Sequence, residues 1–248
     1  MTKNVLIDAK GLHYTPLNKM IRKAVLEGAE EITLDNILGQ RFIGNGLRGD
    51  NVRIKVNGVP GGDLGMFMSG PSVEVSGNCD NSPGNTMDCG KIIIHGSCGD
   101  TPAHSMRGGE VYVRDNIGYR GGIHMKEYQT KRPVLVVGGC ARAFLGEYMA
   151  GGLLIVLGLN NQSPVKDRGT GSGIHGGKII IRGDVDESVL GIGAKKEKLS
   201  KEDFDDIKPF IENFSKYFGF DEADIMKSGF VKVVPSGPRP FANKYCWE

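Results

Sequence analysis

The segment VRIKVNG at residues 52–58 decides the fold, because similar segments follow it along the chain at related distances. The later segments are SVEVSG (72–77), KIIIHG (91–96), EVYVRD (110–115), VLVVGG (134–139), LLIVLG (153–158) and KIIIRG (178–183). In the first segment Ile54 and Val56 alternate with Arg53 and Lys55, which is the two-residue period of a β-strand with one buried face.

Three columns of residues share one irregular schedule. The first apolar position, which starts at Ile54, recurs after 19, 19, 19, 24, 19 and 25 residues, and the position two residues later keeps these intervals. A third column lies outside the strands and is predicted to form a core ladder: Met68, Met87, Met106, Met125, Met149 and Ile174. The longer intervals indicate insertions near 126–131 and within 161–172.

The schedule predicts an all-β fold, a single-stranded parallel β-helix (β-solenoid) of about seven 19-residue coils. A repeat of 19 residues is too short for a strand, a crossover helix and a returning strand. Coils of short strands and turns stack about 4.8 Å apart instead, so equivalent residues lie above one another and bury a shared core. The alternative is an antiparallel sandwich with regular turns, which would not keep one period in three columns.

Glycine supplies 38 of the 248 residues, roughly twice the average usage, without the Gly-X-Y period of collagen. Each coil must turn corners, where positive φ angles or close backbone contacts favour glycine. The pattern Gly-x-x-Gly-x-x-x-Gly is complete at Gly58, Gly61 and Gly65. The full set of predicted turn glycines is Gly58, Gly61, Gly65, Gly96, Gly99, Gly118, Gly122, Gly139, Gly158 and Gly183.

The two ends of the chain lack the repeat, so we divide one structural domain into 1–40, 41–190 and 191–248. The first part is a capping helix, starting at Thr15 and Pro16 and ending at Gly28, followed by a strand at 31–36. The second part is the β-helix core. The third is a helical extension whose first helix we expect Pro209 to break or kink, with a strand at 230–234. Phe241, Tyr245 and Trp247 end the chain in an arm that packs on this chain or on a partner.

Composition excludes several classes of function. The net charge of +2 gives no electrostatic reason to expect nucleic acid or an anionic membrane. No apolar run approaches the roughly 18 residues of a membrane span, and the N-terminus lacks a signal-peptide pattern. We therefore expect a cytoplasmic protein.

Candidate chemistry is sparse. Gly44, Gly46 and Gly49, like Gly171, Gly173 and Gly176, match a dinucleotide-binding pattern, but both matches run into strands, where the motif needs a helix. Cys79 and Cys98 lie one repeat apart, which leaves a disulfide, a metal pair or a ladder of reduced thiols open; reduced thiols are favoured in the cytosol. No two histidines share a column, and the carboxylates do not cluster. The sequence therefore predicts no catalytic, cofactor or metal site on this chain.

The same residues resemble a known family, the GXGXG domain, which is the C-terminal β-helix of the glutamate synthase large subunit. The glycine pattern at Gly58, Gly61 and Gly65 carries part of the resemblance. The flanks carry more: IDAKGLHYTPLNKMIRKAV at 7–25 and GAEEITLDNILGQRFIGNGL at 28–47 resemble the start of that domain. The helical segment 201–218 and FVKVVP at 230–235 resemble its end, so the likeness covers nearly the whole chain.

The resemblance implies a right-handed β-helix without catalytic residues of its own. It implies a structural subunit of a glutamate synthase-type complex, which converts glutamine and 2-oxoglutarate to glutamate. The expected partners are a glutamine amidotransferase subunit and a synthase subunit that carries FMN and an iron–sulfur cluster. The alternatives are the equivalent β-helix subunit of an N-methylglutamate synthase-type enzyme or of formylmethanofuran dehydrogenase, or an independent enzyme on the solenoid surface. The sequence also leaves open whether the chain forms a homo-oligomer.

Overall fold

The computed structural model describes residues 3–160 and 163–237, and its fold is a β-solenoid of about seven turns. One 11-stranded sheet runs along the molecule in the order β1-β2-β3-β4-β5-β6-β7-β8-β9-β11-β10. The strands are β1 (Asn4–Asp8), β2 (Glu31–Leu38), β3 (Arg53–Val59), β4 (Ser69–Val75), β5 (Cys89–Ile94), β6 (Gly109–Val113), β7 (Pro133–Val137), β8 (Ala150–Val156), β9 (Gly176–Arg182), β10 (Ala194–Lys198) and β11 (Phe230–Pro235). The helices are α1 (Tyr14–Leu26), α2 (Lys201–Phe218) and α3 (Glu222–Met226), with a 3-10 turn at Glu187–Val189.

The register of the parallel strands follows the schedule of the sequence. Ile54 lies beside Val73, Val73 beside Ile92 and Ile92 beside Val111, each pair one repeat apart. Leu135 and Leu154 continue the column toward Ile179 across the longer intervals. The predicted parallel solenoid is thus confirmed, and its inward column is buried along its length.

The N-terminal segment adds a strand that the periodicity did not indicate. β1 pairs in parallel with β2, and α1 connects the two strands. The helix begins after His13, whose Nδ1 accepts from the Thr15 amide, and it buries Leu17, Ile21 and Ala24 in the core of the coils. Asn18 on its side donates to the Arg41 carbonyl of the next layer.

The C-terminal segment turns back on the solenoid. β11 pairs antiparallel with β9, and β10 pairs antiparallel with β11. β11 therefore runs against the other strands of the sheet, and β10 at the edge has the direction of β9 again. The expectation that Pro209 breaks the first helix is wrong, because α2 runs unbroken for 18 residues through that proline. Pro209 lies on the exposed side of α2, while Ile207, Ile211 and Phe214 are buried beneath it.

A second core forms where α2 and α3 cover the outer face of the sheet. The strand residues beneath the helices are Ile93, Tyr112, Val134, Val136, Leu153, Ile155 and Ile180. They belong to β5–β9, and their side chains point away from the core of the coils. The solenoid therefore has an inner core along its length and an outer core over its C-terminal half.

Candidate functional site

Each coil contains one five-residue turn in which alternate residues have left-handed backbone conformations. In the turn 82–86, for example, Ser82, Gly84 and Thr86 have φ angles of 60°, 75° and 52°. The same three positions are left-handed in all seven turns, at 42–46, 63–67, 82–86, 101–105, 120–124, 144–148 and 169–173. We call these stacked turns the turn edge of the solenoid.

Because of this alternation, the N–H groups of the two outer positions point to the next coil and the N–H group of the middle position points to the preceding coil. Ser82 and Thr86 donate to the carbonyls of Asp100 and His104 in the next coil, at 2.8 Å each. Gly84, between them, donates to the Leu64 carbonyl of the preceding coil, also at 2.8 Å. Because buried backbone groups need partners, hydrogen bonding between coils accounts for a conformation that local propensity disfavours.

The three positions of a turn differ in the residues that occupy them. The middle column is buried and holds glycine in six of seven turns, with Ala103 as the exception. The two outer columns hold non-glycine residues at eleven of fourteen positions, although a left-handed non-glycine residue costs roughly 1–2 kcal/mol. Phe67 and Tyr148, both bulky, are each 51% exposed there. Side chains displayed at such a cost indicate a function for the surface they form.

Three arginines at the turn edge share one arrangement. The Arg41 guanidinium lies 4.8 Å from the Phe42 ring centre and pairs with Asp63 at 3.2 Å. Arg120 lies 5.0 Å from the Phe144 ring centre and pairs with Glu147, and Arg142 lies 4.9 Å from the Tyr119 ring centre and pairs with Asp167. In each case an aromatic ring and a less exposed carboxylate hold a planar cation in place.

Polar and aromatic side chains also connect the turns. Asn85 donates to Asp63 at 3.0 Å, and its Oδ1 lies 3.2 Å from Nδ1 of His104. The His104 ring lies 6.1 Å from that of His124, which stacks on Tyr148 at 5.4 Å. Burial and the neighbouring His124 lower the pKa of His104. The two histidines occupy adjacent columns of adjacent coils, and their spacing of 20 residues concealed this contact in the sequence.

The predicted turn glycines have two kinds of surroundings. Five have positive φ angles: Gly58, Gly65, Gly122, Gly158 and Gly183. At the other five, an added Cβ would lie 2.1–2.3 Å from an oxygen of the neighbouring coil: Gly61, Gly96, Gly99, Gly118 and Gly139. The six residues of the predicted core ladder, Met68 to Ile174, are at most 4% exposed.

Cys79 and Cys98 lie beside each other in adjacent coils as free, buried thiols. Burial raises the pKa of Cys79 to about 12 and that of Cys98 as well, so both stay protonated at neutral pH. Within residues 3–160 and 163–237, no group of three His, Cys, Asp or Glu side chains is placed to hold a metal ion. Phe241, Tyr245 and Trp247 lie outside the described residues.

The two glycine stretches that match a dinucleotide-binding pattern precede β3 and β9. Neither stretch opens a helix, which a dinucleotide-binding motif needs. None of the helices in the described part of the chain is long and apolar enough to cross a membrane.

Comparison with known proteins identifies a family and a relative. A family model described as the GXGXG motif matches residues 28–236. An uncharacterized protein of Methanocaldococcus jannaschii, MJ1350, is 51% identical over 252 residues, which cover 98% of this chain and 97% of that protein. The last turn of the turn edge has glycine at all three left-handed positions, Gly169, Gly171 and Gly173, and so has the spacing G-x-G-x-G itself.

Proposed function

This chain is a member of the GXGXG motif family, and on that basis we propose that it is the non-catalytic structural subunit of a cytoplasmic glutamate synthase-type complex. Its role is to hold an amidotransferase, which releases ammonia from glutamine, in a fixed position relative to a synthase. The synthase carries FMN and an iron–sulfur cluster and forms glutamate from ammonia and 2-oxoglutarate. These cofactors belong to the partner subunits.

The proposal rests on one observation: this member of the family keeps exposed side chains at the left-handed positions of its turn edge. A subunit that only positions others needs a stiff body and a surface for contact. The continuous 11-stranded sheet supports the first requirement, because every coil is bonded to both neighbours. The exposed side chains kept at left-handed positions support the second.

Two finer features of the fold belong to this proposal. We propose that the coils wind in the right-handed sense, as in the β-helix that the sequence resembles. We also propose that α1 closes the first coil, since terminal repeats of a solenoid need a cover over their core. Burial of Leu17 and Ile21 supports that role for the helix.

Native mass spectrometry of the tagged chain, isolated from its own cells, tests the function. We expect it to co-purify with an amidotransferase and an FMN, iron–sulfur protein, and the isolated complex to form glutamate from glutamine and 2-oxoglutarate. Co-purification with molybdenum or tungsten subunits would favour formylmethanofuran dehydrogenase instead. Formation of N-methylglutamate would favour the synthase of that compound, and a lone chain with activity of its own would contradict a structural role.

A further inference from the structure

We infer that the turn edge is the surface on which a partner subunit docks, and that the docking face of this partner is acidic. The inference rests on the proposed function and adds to it the location and the chemistry of the contact. Three observations support it: which groups lie outermost at the turn edge, what holds them, and how they are spaced.

In each of the three stacked pairs at the turn edge, the cation is more exposed than its carboxylate. The side chains of Arg41, Arg120 and Arg142 are 53%, 47% and 46% exposed. The carboxylates paired with them, on Asp63, Glu147 and Asp167, are only 17%, 14% and 34% exposed. At these three pairs a docking partner therefore meets the guanidinium group first, with the compensating negative charge behind it.

Two further arginines reach the turn edge from beside it, Arg22 on α1 and Arg107 just after the fourth turn, and both pair with neutral groups. Arg107 donates to the carbonyls of Ser105 and His124, and Arg22 donates to the Asn45 carbonyl. Exposed carboxylates on Asp80 and Asp100 flank the same turns, so the preference for an acidic partner comes from these held guanidinium groups and not from a large net positive charge.

The arginines keep free donors in a fixed geometry. Arg120 uses Nε for Glu147, and Arg142 uses Nε for Asp167 and one terminal nitrogen for the Tyr119 hydroxyl. A guanidinium has five N–H donors, so each keeps several for a second carboxylate. Because rings already restrict these side chains, docking orders them at a smaller entropic cost than a free arginine would require.

The aromatic side chains between the arginines fit a protein partner. Phe67, Tyr119, Phe144 and Tyr148 are 36–51% exposed, and aromatic residues together with arginine are enriched at protein interfaces. Arg41 and Arg120 lie four coils apart, about 19 Å along the axis, so the edge is long enough for a folded subunit. We therefore favour a protein partner. Binding of nucleic acid instead is one of the outcomes that the test can give.

The first test compares two triple variants of the tagged chain in its own cells. Arg41→Gln, Arg120→Gln and Arg142→Gln remove the stacked cations, and Arg53→Gln, Lys55→Gln and Lys195→Gln remove three exposed cations elsewhere. We expect the first variant to lose the co-purifying subunits, with affinity lowered on the order of 100-fold, and the control to keep them. Equal retention of the subunits by both variants would overturn the inference but leave the proposed function intact.

The second test uses the purified chain and does not depend on the native partner. Titration with poly-L-glutamate, followed by NMR of the arginine Nε–H groups, should shift the signals of Arg41, Arg120 and Arg142, and the triple Gln variant should not bind. Poly-L-lysine should not bind the wild-type chain. Absence of binding to poly-L-glutamate, or stronger binding to an RNA oligonucleotide, would overturn the inference even if the chain purifies alone.

Thermal unfolding checks that the triple Gln variant is folded. If it is not, the triple Lys variant takes its place, because lysine keeps the charge but loses the planar, ring-stacked donors. We then expect binding to weaken about tenfold. Unchanged binding of the Lys variant, at lower ionic strength as well as at physiological salt, would show that the stacked geometry does not matter.

Discussion

The two halves of the outer sheet face differ although they share one backbone register. In β2, β3 and β4 the central outward position holds Thr33, Lys55 and Glu74, which are polar and at least partly exposed. In β7 and β8 the same column holds Val136 and Ile155, which are fully buried. The inward column is apolar and buried in both halves, so the inner core is the same whether or not a helix covers the outer face.

The difference shows that the solenoid and its cover are separate structural requirements. The inner core continues under β2–β4 without any helix on the outer face, because a polar outer face can stay in water. Where the outer column becomes apolar, a helix must cover it. α2 runs along the sheet from β9, where Asp203 meets Lys178, to β5, where Tyr217 meets Lys91, and it ends where the outer column becomes polar.

The largest expected effect is the difference between two variants that place the same charge in the covered half and in the uncovered half of the outer column. Ile155→Asp puts an unpaired carboxylate beneath α2, which costs several kcal/mol, comparable with the total stability of a domain. Thr33→Asp puts the same group beside Lys55 at the surface and should change the free energy of unfolding by no more than about 0.5 kcal/mol. Urea unfolding followed by circular dichroism measures both. Similar losses in the two variants would mean that the halves do not differ energetically.

A smaller effect is expected from the ion pairs that fasten α2 to the sheet. Asp203 is 3% exposed and accepts hydrogen bonds from Lys178 at 2.5 Å and Lys232 at 2.7 Å. Burial alone would raise the pKa of Asp203, but these bonds and the Ser200 amide outweigh it and lower that pKa. Asp203→Asn should therefore cost about 3 kcal/mol at neutral pH.

The pH dependence of that contribution has a definite sign. Because the native pKa of Asp203 is lowered, its stabilisation is present above the unfolded value of about 3.9 and is lost as the pH falls toward the native one. The difference between wild type and Asp203→Asn should shrink correspondingly in acid. Asp224→Asn, at an exposed pair with Lys227, is the matched control and should be nearly neutral at every pH. A constant difference across the range would contradict the assigned ion pairs.

The smallest effect is expected at two glycines, Gly138 and Gly77, that differ in close packing. Neither has a positive φ angle, so backbone strain does not enter the comparison. A Cβ at Gly138 would lie 2.1 Å from the Arg114 carbonyl oxygen and 2.5 Å from the Phe214 ring of α2. At Gly77, in the uncovered half, the nearest atom would be 3.7 Å away. Gly138→Ala should cost about 2 kcal/mol through overpacking, and Gly77→Ala should be close to neutral. A tolerated Gly138→Ala would show that both the backbone at Arg114 and the Phe214 ring can move away from this position.

The sequence was sufficient to predict the inner architecture, because a period of 19 residues repeats in columns that bury the same kind of side chain. Ile54 and its successors show this directly. The cover of the outer face was also recoverable, although we did not predict it. In VLVVGG and LLIVLG the alternation of apolar and polar residues is lost, as in strands buried on both faces. The apolar stripe of α2 is the complementary signal.

The turn edge could not be predicted from the sequence for a physical reason. Phe67 and Thr86 have no local preference for a left-handed backbone, and β-branched residues disfavour it. Hydrogen bonds between coils impose the conformation, and these bonds exist only once the coils have stacked. The contact between His104 and His124 escapes the column analysis similarly, because it joins adjacent columns. The antiparallel return of β11 is likewise a tertiary feature, to which FVKVV alone gives no direction.

The alternating amides of the turn edge have a mechanical consequence. The sheet is one continuous line of hydrogen bonds along the axis, and the turn edge is a second line at another position around the coil. Bending the solenoid in their common plane must stretch one of them, so the two lines of hydrogen bonds together resist bending in that plane. Its length is then fixed in steps of one coil, about 4.8 Å each. If two proteins bind to different coils, as we propose, adding or deleting a whole repeat would change the distance between them by that step.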